Sequence, residues 1–151
     1  MKNIFLVIMT LLGVIIGCKS DDNSIQFPDP IYTGNIFGLW KLEKSVRDSD
    51  NHNQNLDYCE LQNTLEFREN GKAINQTHYL GTDGSCHQAD SSIYNYFLES
   101  NILKLVNELN NDVFEEEILE LSEVKLVIRV NHRYSGPLSH ETYTVTYKRV
   151  E

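Results

Sequence analysis

From Gly38 to Val150 the sequence repeats one pattern, a short run of alternating apolar and polar residues closed by a turn signal. Alternation with a period of two puts every second side chain on one face of a strand, so a chain written this way folds as half-buried β-sheet. Leu39 to Val46 carries Trp40, Leu42 and Val46 on one face against Lys41 and Glu43 on the other. Thr64 to Arg68 sets Leu65 and Phe67 against Glu66 and Arg68, and Asn70-Gly71 then marks a hairpin, because both residues tolerate positive φ. Lys72 to Leu80 is the expected return strand. Ser92 to Leu98 carries Tyr94, Tyr96 and Leu98 on one side, and Ser100-Asn101 turns into Ile102 to Val106 with Leu103 and Leu105 together. Phe114 to Leu121, Val124 to Val130 and Glu141 to Val150 complete the set, the last alternating Thr142, Thr144 and Thr146 with Tyr143, Val145 and Tyr147. Eight strands in meander order predict an all-β fold, an eight-stranded antiparallel up-and-down barrel, because closure leaves no exposed edge. Residues 97–121 also admit a helical reading, being rich in Leu, Glu and Asn. From Val124 onward β-branched residues decide for strand, whereas 112–120 stays open between strand and helix.

The N-terminus is a different kind of sequence. Lys2 precedes an uncharged apolar run from Ile4 to Gly17. That run is shorter than the roughly 20 residues a membrane-spanning helix needs and fits a signal peptide. Its end, Ile15-Ile16-Gly17-Cys18, resembles a bacterial lipobox. The resemblance implies cleavage before Cys18 and acylation of that cysteine. Two or three acyl chains hold a protein at a membrane where one chain binds only marginally. Lys19-Ser20-Asp21-Asp22 resembles the acidic signals that send some lipoproteins to the outer face of the outer membrane. The expected location is therefore the bacterial cell envelope, lipid-anchored to the outer membrane. Asp21 to Asn35, with Pro28 and Pro30 and no periodicity, reads as a tether. The expected organisation is a signal peptide over 1–17, a lipidated cysteine and flexible tether over 18–35, and a β-barrel domain over 36–151. The net charge of −9 becomes one unit more negative on cleavage, since the leader holds one lysine and no acid. Such an acidic balance argues against nucleic-acid binding, which needs clustered Lys and Arg.

Gly38-Leu39-Trp40 resembles the G-x-W signature of lipocalins. The order of later features agrees: a loop with Cys59, then Asn63 to Gly71, Cys86, Tyr96 to Leu105, Ile118 to Ile128, and the closing Tyr143 to Arg149. Over residues 36–150 the chain resembles the lipocalin-like domain found in many small bacterial lipoproteins. It departs from that pattern at Tyr96, where those domains carry a tryptophan after a glycine, and in the loop Gly136-Pro137-Leu138-Ser139. The resemblance implies a β-barrel with a ligand cavity and names no ligand. It also implies that Gly38 and Trp40 are structural and that a late arginine lies across the indole. Arg149 is the candidate, with Lys148 as runner-up.

With Cys18 taken by lipid, Cys59 and Cys86 form an even pair in an oxidising compartment, which reads as a disulfide. A metal site with His78, Asp83 or His87 is the other reading, and zinc needs more ligands at sharper spacing. Trp40, Phe67, Tyr94, Tyr96, Tyr143 and Tyr147 fall on faces assigned inward. They either line a cup for a small apolar or amphipathic ligand or fill a small barrel. Glu115-Glu116-Glu117 reads as a solvated edge or hairpin tip. No calcium loop, nucleophile elbow, cofactor motif or metal spacing occurs, so the expectation is a binding protein and not an enzyme, with no cofactor. Two functions follow. One is a lipid-anchored lipoprotein whose barrel holds a small ligand. The other is an interaction lipoprotein with a filled barrel whose loops contact a protein or a glycan.

Overall fold

A computed structural model describes residues 31–133 and 140–151. Cys18 and the lipobox, most of the tether and the Gly136 to Ser139 loop lie outside the described residues. Within them the chain forms twelve strands. They are β1 (Ile31–Tyr32), β2 (Gly38–Arg47), β3 (His52–Asn53), β4 (Thr64–Phe67), β5 (Lys72–Gln76), β6 (His78–Leu80), β7 (Cys86–Gln88), β8 (Ser92–Glu99), β9 (Ile102–Asn107), β10 (Val113–Leu121), β11 (Lys125–Arg133) and β12 (His140–Arg149).

Eight of these close on themselves in meander order, β2-β4-β5-β8-β9-β10-β11-β12, with β12 returning to β2. The all-β up-and-down barrel read from the alternation is the observed fold. The segment left open between strand and helix is strand β10, which pairs with β9 from Val113↔Val106 to Glu117↔Ile102. The tight turn at Asn70-Gly71 joins β4 to β5, and Gly71 takes φ +78 there.

Three departures have identifiable causes. The expected strand from Lys72 to Leu80 breaks at Thr77, because β6 leaves the barrel to pair with β7 as a separate hairpin. Cys86 opens β7 and is disulfide-bonded to Cys59, with Cα atoms 5.4 Å apart. The bond ties this hairpin to the 3-10 turn Glu60–Gln62, where the Asp57 carboxylate accepts the N–H groups of Cys59 and Glu60, both at 2.8 Å. Second, Val46 does not share a face with Trp40. Register jumps from Tyr147↔Leu42 to Thr146↔Lys44, so Glu43 is an extra residue in β2. A bulge of this kind inverts the alternation beyond it. Ser45 thus faces Val145 in the interior, and Val46 pairs with Thr144 on the outer side. Third, the barrel starts before residue 36. Strand β1 runs parallel to β10 at Glu120 and Leu121, and the N–H groups of Thr33 and Gly34 both donate to the Leu121 carbonyl. Gly34 passes so close that a Cβ would lie 2.3 Å from the Ser122 carbonyl carbon.

The core is a single cluster built from the inward residues of successive strands. Trp40, Phe67, Leu103, Ile118, Leu126 and Ile128 are fully buried. Each buried side chain of this size contributes roughly 1.5–3 kcal/mol. These residues crowd toward the end of the barrel where β2 begins and β12 finishes.

Candidate functional site

The two ends of the barrel are built differently. At the crowded end Trp40 is fully buried, and its indole N–H donates to the Ile36 carbonyl at 2.7 Å. Arg149 lies across the ring, its guanidinium carbon 4.2 Å from the ring centroid. The same guanidinium donates hydrogen bonds to the carbonyls of Asn35, Phe37 and Glu123. It therefore clamps the segment entering β2 and the turn before β11 onto the indole. Lys148, the other candidate, pairs in register with Lys41 and is exposed. Gly38 takes φ +121, and a Cβ there would stand 2.7 Å from an Arg149 nitrogen. The glycine is needed both for its backbone and for the space the guanidinium occupies. Phe67 is buried beside this seal, and Tyr96 packs edge-on against it with ring centroids 5.1 Å apart. The Tyr96 hydroxyl donates to the Arg68 carbonyl at 3.2 Å, and burial holds its pKa above the ordinary tyrosine value.

Toward the other end the barrel is hollow. A cavity of about 1150 Å³ lies between β4, β5, β8, β9, β10, β11 and β12. It exceeds the roughly 300–1,000 Å³ of common small-molecule pockets. Leu65, Leu105, Ile128 and Val130 form its apolar wall, and Tyr94 and Phe114 meet edge-on within it, centroids 6.0 Å apart. Asn75, Glu116 and Tyr147 bring polar groups from the inward face, and Asp112, Glu115, Glu117, Arg129 and Asn131 line the mouth. Of the six aromatic residues expected in the interior, Tyr94 and Tyr147 line this cavity. Trp40, Phe67 and Tyr96 belong to the packed end instead. Tyr143 packs against the core, and its hydroxyl donates to the Glu141 carboxylate. The interior is thus filled in one half and open in the other.

The opening has a structural cause. In β10 the residues from Val113 to Glu117 are paired with β9, while pairing with β11 begins only at Glu117↔Arg129. The two strands part above that point, and the cavity reaches the wall there, between Asp112 to Glu117 on one side and Ile128 to Asn131 on the other.

Glu116 corrects the reading of Glu115 to Glu117 as a solvated run. Opposite Glu116 in β9 stands Leu103, which is fully buried, whereas Glu115 opposes Lys104 and Glu117 opposes Ile102 on the outer side. Glu116 therefore shares the inward face with Phe114 and Ile118. Among the described residues its carboxyl makes no hydrogen bond or ion pair. Desolvation pushes its pKa up to about 7. Tyr147 is raised well above the ordinary tyrosine value, first by its own burial and then by the charge of Glu116. Glu117, by contrast, accepts from Arg129 at 2.8 Å, and Arg129 also reaches Asp48 at 3.0 Å. No cluster of three His, Cys, Asp or Glu side chains among the described residues is arranged to hold a metal ion.

The sequence profile of the lipocalin-like domain matches residues 36–128. Two solved structures share the architecture. A lipocalin-like protein from Bacteroides uniformis ATCC 8492 superposes with a TM-score of 0.53 at 16% identity, covering 78% of this chain and 100% of that one. An uncharacterized protein from Bacteroides eggerthii DSM 20697 superposes with a TM-score of 0.52 at 13% identity, covering 77% of this chain and 100% of that one. At such identities the likeness is one of fold. No match is found among curated proteins.

Proposed function

The chain belongs to the family of lipocalin-like domains, and from that premise we propose that it is a lipid-anchored envelope lipoprotein whose barrel takes up a small apolar or amphipathic ligand. One observation carries the binding reading: a cavity of about 1150 Å³ that combines an apolar lining from Leu65, Leu105, Ile128 and Val130 with inward polar groups such as Asn75, Glu116 and Tyr147, open where β10 and β11 part. Small-molecule sites use apolar surface for affinity and placed polar groups for orientation. The activity is binding and not catalysis. The anchor rests on the sequence alone, on the apolar leader that ends at Cys18. The acyl chains on Cys18 would hold the barrel at the outer membrane.

Native mass spectrometry of the purified chain against fatty acids, bile salts and haem tests the binding reading. A retained adduct with one-to-one stoichiometry is the expected result. Bare protein across the whole panel would overturn it. For the anchor, Cys18→Ser should move the protein from the membrane fraction to the soluble one, and an unchanged membrane fraction would refute acylation at that residue.

The second reading, an interaction module, draws on a different surface. Ile93 and Phe97 point outward from β8 and are exposed. A silent ligand panel would shift the weight to that outer wall.

A further inference from the structure

Resting on the ligand-binding reading above, we propose that the cavity selects amphiphiles bearing a cationic amine, whose ammonium group pairs with the Glu116 carboxylate while the hydrocarbon lies along Leu65, Leu105 and Val130. Three observations support this. Glu116 is the acidic side chain that β10 turns into the barrel, level with buried Leu103. It is half-buried, and its accessible surface faces the cavity. It has no partner among the described residues, and a carboxyl enclosed this way gains most from a group that neutralises it.

The route to Glu116 has the same sign. The rim where the strands part carries Asp112, Glu115 and Glu117, and among the described residues the one cation lining it, Arg129, is held by Glu117 and Asp48. Lys104 stands 3.8 Å from Glu115, on the outer face of β9. A negative rim on a chain of net charge −9 draws cations in and repels a carboxylate-headed lipid. The groups facing Glu116 from the packed strands do not compensate it. They are Tyr147 from β12, Tyr94 from β8 and Asn75 from β5, whereas Arg129 of β11 stands on the outer side, held by Glu117 and Asp48. Both phenols can accept or donate, which suits an ammonium group with three donors.

Three probes of equal length separate the alternatives: dodecylammonium and dodecanoate below their micelle concentrations and dodecanol below its solubility limit, each titrated calorimetrically with the purified chain at pH 8. The expected result is dodecylammonium binding at least tenfold more tightly than dodecanoate, with dodecanol between. Glu116→Gln should remove at least tenfold of the affinity for the amine and leave dodecanol within about twofold. Glu69→Gln, exposed in the turn between β4 and β5 and outside the cavity lining, should leave amine affinity within about twofold and so controls for general loss of negative charge. Equal or tighter binding of dodecanoate, or amine affinity unchanged in Glu116→Gln, overturns the cationic preference while leaving ligand binding intact. If none of the three binds, the ligand-binding reading fails and this inference fails with it. Dodecanol binding by Glu116→Gln shows that the variant is folded and its cavity open.

Discussion

The two halves of this barrel share strands, register and interior alternation, yet one is packed and the other is hollow. In the packed half Trp40, Phe67, Leu103 and Leu126 interdigitate, and Arg149 closes the end with hydrogen bonds to three carbonyls. In the hollow half the inward positions go to Tyr94, Asn75, Glu116 and Tyr147, which line the cavity, and β10 separates from β11. Eight strands are compatible with either filling or enclosing a ligand. Here the choice is made by which residues occupy the inward positions along each strand and not by strand number. Stability should therefore reside in one half and binding in the other, and substitutions can test that division.

The largest effect is expected from Trp40→Ala. Removing a fully buried indole from the packed half should lower unfolding free energy by about 3–5 kcal/mol in a denaturant titration. A loss under about 1 kcal/mol would mean that the packed half does not carry the stability. Next comes the disulfide, which lies outside both halves and closes a loop spanning a sequence separation of 27. Reduction, or Cys59→Ser with Cys86→Ser, should cost about 3 kcal/mol. Ligand affinity should stay within about twofold. Arg149→Ala removes the clamp and the cation over the indole, and about 2 kcal/mol should be lost, again without changing ligand affinity.

The smallest expected effect has the opposite sign and sharpens the division. Glu116 has a pKa raised to about 7 in the fold, above the ordinary glutamate value. The folded state therefore keeps a proton that the unfolded chain releases, and stability falls as pH rises through roughly 4.5 to 7. Glu116→Gln should flatten that part of the pH profile and gain about 1–2 kcal/mol at pH 8. A binding group that costs stability is expected of a functional site, and a destabilised Glu116→Gln protein at pH 8 would argue that the carboxylate is structural.

The fold was legible because strand alternation and turn signals are local. Asn70-Gly71, the Tyr143-Val145-Tyr147 face and the Leu103-Leu105 pair each follow from period-two spacing. What local pattern could not reveal were features decided between strands. The Glu43 bulge exists only in relation to β12, and it is the reason Val46 was assigned to the wrong face. The pairing of Ile31–Tyr32 with Glu120 and Leu121 is long-range and carries no periodic signal. Glu116 had a signal that was available, its parity with Phe114 and Ile118, but three adjacent glutamates invite reading as one charged block. The tyrosines show the limit most clearly. Alternation assigns Tyr94, Tyr96, Tyr143 and Tyr147 inward, and packing between strands, which alternation does not encode, determines which of them line the cavity.

The boundary between packed core and cavity determines the most direct test. The chain has one tryptophan, and Trp40 sits in the packed half and does not line the cavity. Tyr94→Trp places a second indole on the cavity wall. Titrating both proteins with dodecanol and recording tryptophan emission separates the halves in one experiment. A saturable change in the Tyr94→Trp emission with a silent parent protein is the predicted result. Emission from Trp40 in the parent that changes as strongly, with nothing added by the new indole, would contradict the division of this barrel into a sealed half and a binding half.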